Sequence, residues 1–515
     1  MSDAKGGKRM KSDDIAVIGM AGRWPGAADV RSFWENLLAG RECISAFTDA
    51  ELRAAGVPEA ELRDPAYVKA SPTLADIDKF DSAFFKIPPV EAEMMDPQVR
   101  LLLQCAWETL EDAGYAGAGP QDVGVFAGSG GVPTSYLADF LNRNPQFEKV
   151  TTSPTHLGND KDFLATYISY RLNLTGPSMT LQTACSTSLV AVHQACLSLR
   201  NGECAMALAG GVTIRVPHIR GYQYREGYIF SRTGRISAFD ESADGVVFGS
   251  GLGMALLKPL ADAKRDRDPI YAVVKGSAVL NDGKGKMSYA ASSARGQIRC
   301  VTEALARAKV DAGSLGFVEA HGTGTAMGDP EEVKALSSAF ARQTAKKGYC
   351  ALGSVKNNVG HLDAAAGITS FIKAVLALRH GAIPPVARFR KANPRIKLET
   401  SPFYLNTMPI AWERDGQPRR AGVNSLGVGG TNAFVILEEH AAARREPRAQ
   451  GEPAVIPLSA RTPSALREAV RRLEARLAAA AAPEAAPDLH DLAFTLQVGR
   501  LPMDFRAAFA CPSVE

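Results

Sequence analysis

Short apolar runs alternate with helical patterns through both halves of this chain, and that alternation limits its possible folds more than any other feature. Residues 15–18, 123–127, 178–183, 206–209, 270–276 and 315–319 read as strands. Residues 32–38, 97–113, 189–199, 297–309 and 362–380 read as helices between them. The helix at 97–113 carries its own punctuation: Asp96 as cap, Pro97 in the first turn and Gly114 after the end. Strands that are apolar along their whole length are buried on both faces, so helices must cover both sides of the sheet. The expectation is an α/β protein with buried, mostly parallel sheets. After residue 440 the pattern changes. A connector rich in Ala, Arg, Pro and Glu at 441–453 leads to an edge strand at 455–458 and helices at 463–480 and 491–498.

The 515 residues suffice for more than one domain with a large core. A hydrophobic share of 46% and a charged share of 22% describe an ordinary globular chain. The formal net charge of +4, without a basic stripe interleaved with aromatics, argues against nucleic acid. Eight cysteines lie scattered, with no CxxC pair and no zinc-like ligand spacing. Residues 1–14 are polar and Lys-rich, unlike a signal peptide. No run of about 18 apolar residues is present. A cytoplasmic protein without membrane or metal partners is expected. Gly19-Met20-Ala21-Gly22 lacks the spacing of a dinucleotide loop.

Chemistry concentrates at three junctions. Cys185, in Thr183-Ala184-Cys185-Ser186-Thr187-Ser188, lies between a strand and an apolar helix. Unpaired N–H groups at a helix start favour a thiolate and can bind a developing oxyanion. A buried structural cysteine is the competing reading. Two further motifs shift the balance: Glu319-Ala320-His321-Gly322-Thr323-Gly324-Thr325 with Gly328-Asp329-Pro330, and Lys356-Asn357-Asn358-Val359-Gly360-His361. Each ends a strand-like run in a Gly-rich loop, where functional side chains collect.

These motifs, in this order, resemble those of β-ketoacyl synthases, most closely the ketosynthase domain of modular type I polyketide synthases. Asn424-Ser425-Leu426-Gly427-Val428-Gly429-Gly430-Thr431-Asn432 and Asp96-Pro97-Gln98 extend the likeness, which covers roughly residues 13–440. The resemblance implies a thiolase-like fold of two duplicated βαβ halves in five layers, plus a small α/β linker domain. It divides the chain into a flexible tail at 1–12, an N-terminal half at 13–262 bearing the cysteine, a C-terminal half at 263–440 bearing both histidine motifs, and a post-ketosynthase linker at 441–515. Residues 65–77, 158–162 and 248–251 further resemble ketosynthases of hybrid peptide–polyketide assembly lines, which implies aminoacyl or peptidyl chains.

The implied reaction is a decarboxylative Claisen condensation. Cys185 takes an acyl chain, a malonyl unit on an acyl carrier protein loses CO₂, and the carbanion attacks the acyl thioester. By resemblance, His321 and His361 donate to the developing enolate through Nε2–H. Lys356 forms an ion pair with Glu332 that holds the histidine loop. The backbone N–H of Val428 is the second oxyanion donor. Thr323 and Thr325 contact the phosphopantetheine arm of the carrier, and no cofactor is bound intrinsically. A neighbouring acyltransferase and a second copy in a homodimer are the other implied partners. His193, His218, His380, His440, His490 and His156 match no catalytic motif.

Three departures from the family pattern stand out: Val428 for an aromatic gate residue, and Phe434 and Val99 for histidines. Cys185 in place of Gln excludes a loading-type decarboxylase, and the presence of His321 excludes a common non-elongating type. Two alternatives are a catalytically silent partner, which usually lacks the cysteine, and a free-standing fatty-acid condensing enzyme, which ends near the Gly429-Gly430-Thr431-Asn432 strand. A degradative thiolase needs a second cysteine motif late in the chain, and none is found.

Overall fold

The computed structural model describes residues 13–117, 121–131, 135–145, 157–441, 453–478 and 488–513. The expected tail at 1–12, His156, most of the 441–453 connector and the last residues of the helix expected to reach 480 lie outside them.

Eleven strands are joined in one sheet. In chain order they are β1 (Ile15–Arg23), β2 (Val123–Ser129), β3 (Ser178–Thr180), β4 (Met206–Thr213), β5 (Gly251–Pro259), β6 (Ala272–Asn281), β7 (Phe317–Glu319), β8 (Cys350–Gly353), β9 (Phe403–Tyr404), β10 (Arg420–Leu426) and β11 (Thr431–Glu439). Their spatial order is β9-β8-β7-β10-β11-β6-β1-β5-β4-β2-β3. Read inward from its edge, the N-terminal half runs β3-β2-β4-β5-β1. The C-terminal half runs β8-β7-β10-β11-β6, with β9 added outside. The pairings repeat in the same sense. β2 is parallel to β3 and β4, as β7 is to β8 and β10. β5 is antiparallel to β4 and β1, as β11 is to β10 and β6. The duplication is therefore a property of topology.

The expectation of mostly parallel strands is corrected: the sheet is evenly mixed. The short turn at 427–430 can join only antiparallel neighbours, here β10 and β11. β1 and β6 also meet antiparallel where the halves join, with Ile15 opposite Val274.

Alternation along the strands sorts side chains into three cores. On β1, Ile15 and Val17 enter a central core, while Ala16 and Ile18 enter an outer one. On β11, Ala433, Val435 and Leu437 face the same central core, while Phe434 and Ile436 face the other outer core. Helices complete five layers. α1 (Val30–Leu38) borders the central core through Phe33 and Leu37. α2 (Pro97–Asp112) and α3 (Leu164–Leu172) cover the N-terminal half. α4 (Thr187–Asn201) is sandwiched between the halves. α5 (Ala294–Ala308) and α6 (Gly328–Phe340) cover the C-terminal half. α7 (Ala366–His380) lies beside α4.

The central helices are built alike. Each follows one 3₁₀ turn, Ala184–Ser186 or Asp363–Ala365. Each turn opens on a non-glycine residue with left-handed φ, +53° at Ala184 and +48° at Asp363. Each helix closes on a left-handed glycine, Gly202 or Gly381. Every feature of the second series falls 179 residues after its counterpart: 184 to 363, 187 to 366, 202 to 381. The helix expected from residue 362 thus begins at Ala366, because the left-handed turn intervenes.

Beyond residue 453, β12 (Ala454–Ala460) pairs antiparallel with β13 (Phe505–Cys511). α8 (Pro463–Ala478) and α9 (Leu489–Val498) pack on this pair around Ile456 and Ala493. The expectation did not include β13. Among the described residues no helix is long and apolar enough to cross a membrane.

Candidate active site

The starts of α4 and α7 meet at one buried centre, and the loops after β7 and β10 close over it. Cys185 lies in the 3₁₀ turn before α4, with its side chain buried. Its carbonyl accepts the Ser425 hydroxyl at 3.1 Å. Gly427 allows the β10–β11 turn to approach, since a Cβ there would stand 2.4 Å from the Thr183 carbonyl. That approach brings the Val428 amide to the sulfur. Burial pushes the Cys185 thiol up to about 12, and the Asp363 carboxylate adds to the rise. Lys356 opposes it, as do hydrogen bonds from the backbone N–H of Val428 and of Cys185 itself. The helix start was expected to favour the thiolate; burial works against it and holds the thiol above the usual cysteine range.

His321 and His361 stand edge to face, with ring centroids 5.6 Å apart. Both are buried. Nδ1 of His361 accepts the Asp363 backbone N–H at 3.0 Å, and Nδ1 of His321 accepts the Leu426 backbone N–H at 3.4 Å. An amide can only donate, so each ring carries its proton on Nε2. Burial and then the charge of Lys356 hold both histidines well below the usual imidazole range. They are neutral donors at neutral pH. Phe248 stacks on His361 at 4.6 Å and fixes the ring plane.

Lys356 and Glu332 do not form the expected ion pair. The Lys356 ammonium donates to the His321 carbonyl. Glu332 instead accepts the amides of His321 at 2.7 Å and Gly322 at 2.8 Å, and the Asn424 side chain at 2.6 Å. One turn earlier on α6, Asp329 accepts the amides of Thr323 and Gly324, each at 3.1 Å. Four consecutive loop amides thus hang on two carboxylates, and the lysine grips the same loop through its carbonyl side. Burial lowers Lys356 and raises Glu332, and burial lifts Asp329 to about 7. Thr323 and Thr325 are half-buried on that loop, with hydroxyls 3.2 Å apart.

Behind the histidines, Lys373 of α7 pairs with Glu319 at 2.7 Å, both fully buried. Glu319 also accepts the Val355 amide at 2.5 Å, so the pair ties the two histidine segments together. Sequence reasoning passed over Asp363, Asn424, Ser425, Glu319 and Lys373. The signal for Asp363 was its place two residues after His361. Phe434 and Val99 fill the two outer cores, away from this centre. The Val428 side chain is 51% exposed.

The chain matches the family described as Beta-ketoacyl synthase, N-terminal domain, over residues 12–263, its C-terminal domain over 271–390, and the Ketoacyl-synthetase C-terminal extension over 392–508. It superposes on ketosynthase twelve from the bacillaene polyketide synthase of Bacillus amyloliquefaciens with a TM-score of 0.89 at 36% identity, covering 97% of this chain and 86% of that one. The chain belongs to the β-ketoacyl synthase family. This ketosynthase is also 49% identical over 501 residues to a phenolphthiocerol/phthiocerol polyketide synthase protein of Mycobacterium tuberculosis (strain CDC 1551 / Oshkosh). The alignment covers 94% of this chain and 33% of that protein, so the ketosynthase spans about a third of its curated relative. The ketosynthase from module 6 of the Bacillus subtilis 168 bacillaene synthase has 37% identity and a TM-score of 0.81, covering 97% of this chain and 83% of that one. The ketosynthase is thus a condensing enzyme of the acyltransferase class with a thiolase-like fold.

Proposed function

We propose that this ketosynthase elongates an acyl chain held on Cys185 with a malonyl-type unit delivered on the phosphopantetheine of an acyl carrier protein. The observation that carries this reading is the fixed tautomer of both histidines. Each backbone amide at Nδ1 leaves an Nε2–H donor, and two such donors suit an enolate oxygen better than a single general base. Their neutrality matters, because a charged imidazolium would bind the carboxylate of the extender unit in its ground state. The N–H groups of Cys185 and Val428 are the oxyanion donors for acyl transfer and condensation. Lys356, Glu332 and Asp329 position the His321 loop, and Thr323 and Thr325 face the carrier arm. Removing one oxyanion donor of this kind costs about 10²–10³ in rate.

The partners follow from the same reading: an upstream carrier as acyl donor, a malonyl-loaded carrier as acceptor, and neighbouring synthase modules. A second copy is supported by β3, the sheet's edge among the described residues, whose Met179 is 45% exposed and whose neighbour α3 carries Tyr170 at 77%.

The test is intact mass of a malonyl-loaded carrier incubated with enzyme primed by a short acyl thioester, beside Cys185→Ala. A carrier bearing the chain plus a two-carbon keto unit, absent with the variant, supports elongation. An unchanged carrier across several donors sinks it and favours the silent-partner reading. A peptidyl thioester run in parallel tests the hybrid-line resemblance, and faster loading of a simple acyl chain counts against it.

A further inference from the structure

Attack by the Cys185 sulfur releases its proton, and the hydrogen bond from that thiol shows where the proton can go. Neither histidine can serve. Each Nδ1 is occupied by a backbone amide, and each Nε2 already bears hydrogen. Lys356 is committed to the His321 carbonyl.

Among the described residues, Asp363 is the acceptor that the thiol meets. The Cys185 thiol donates to Oδ1 of Asp363 at 3.9 Å. The other carboxylate oxygen accepts the Gly131 amide at 3.4 Å. Gly130 lets that loop close in, since a Cβ there would sit 3.0 Å from Oδ2. The left-handed φ of +48° turns the Asp363 amide towards His361 while its side chain faces the sulfur. Desolvation holds Lys161 and Arg215 below their ordinary values, and the attraction of the Asp363 carboxylate partly offsets it in both. Among the described residues, no cation takes the oxygen that faces Cys185.

We propose that Asp363 is the base for acyl loading, an inference that rests on the elongation reading above. As Sγ attacks the donor thioester carbonyl, the thiol proton passes to Oδ1. The N–H groups of Cys185 and Val428 hold the tetrahedral oxyanion. Collapse breaks the donor C–S bond, and the departing phosphopantetheine thiolate takes the proton back from Asp363. One C–S bond forms and one breaks, the carrier leaves as a free thiol, and the carboxylate is regenerated with no redox change.

The test compares wild-type protein with Asp363→Asn and Asp363→Gly. Both replacements tolerate left-handed backbone and keep the amide at His361. Loading is followed by intact mass with a short acyl N-acetylcysteamine thioester. Malonyl-carrier decarboxylation is measured in a Cys185→Gln background with and without Asp363→Asn. Asp363→Asn is expected to lower the ratio of loading to decarboxylation about 10²-fold, the usual weight of a general base. Added formate is expected to restore loading in Asp363→Gly in proportion to its concentration. Wild-type loading rates in Asp363→Asn, or equal loss of both reactions without formate rescue, overturn the inference. A wild-type enzyme that loads no acyl chain from any donor overturns the elongation reading, and this inference falls with it.

Discussion

His321 and His361 are held neutral by burial, and that has a measurable thermodynamic cost. An unfolded histidine binds a proton near pH 6.5, whereas the folded rings refuse it. Below that pH the unfolded state binds more protons, so stability falls as pH falls. His361→Gln removes one such group. Its urea-unfolding free energy is expected to decline less steeply between pH 6.5 and 5 than that of wild type, by up to about 1.4 kcal/mol per pH unit. Asp329, lifted to about 7, works in the opposite direction over the same window, but it is common to both proteins and cancels in the comparison. Parallel slopes would show that His361 does take a proton in the folded state. At this scale the meeting of Cys185, His321 and His361 was legible because the cysteine stands at a strand-to-helix break and the histidines in Gly-rich loops. Asp363 was not, since nothing in the letters reveals that position 363 adopts left-handed backbone. The Lys356–Glu332 pairing implied by the resemblance failed because the loop amides of His321 and Gly322 claim the carboxylate.

The decisive element contact is between the first turns of α4 and α7. The Ser188 hydroxyl accepts the Ile368 amide at 2.9 Å. Gly367 lies so close that a Cβ would fall 2.6 Å from the Leu189 nitrogen and 2.8 Å from its Cβ. Backbone cannot yield as a side-chain tip can, so Gly367→Ala must push the helices apart. It is expected to cost about 1–3 kcal/mol of stability, read from the urea midpoint. Because α4 carries the Cys185 turn, condensation should fall further than stability alone predicts. Stability and activity equal to wild type would mean that the contact relaxes freely. Helix α7 and strand β2 were easy to anticipate from their apolar runs. β13 was not, as Phe505 to Cys511 alternates poorly and is largely exposed.

At the scale of the whole molecule, the exposed edge at β3 should be covered by a second copy. Native mass or light scattering is expected to give twice the chain mass, and Met179→Lys is expected to shift the protein towards monomer. A monomeric wild type at micromolar concentration would remove the argument. The α/β class was legible because interior strands such as β2 and β4 are buried on both faces and read as apolar runs. The sheet's mixed sense and internal duplication were not, since topology depends on which strands meet, and the apolar pattern is blind to that.

The turn before α4 reads Ala184 then Cys185, and its counterpart 179 residues later reads Asp363 then Ala364. Each turn keeps a methyl group where the other keeps its thiol or carboxylate. Two identical protein copies meeting about an axis could not arrange this: a thiol on one would face a thiol on the other. Covalent fusion of the copies frees each to lose what its twin retains. The sulfur and the carboxylate occupy one small volume without competing for it, a division of labour open only to a symmetric scaffold written twice in a single chain.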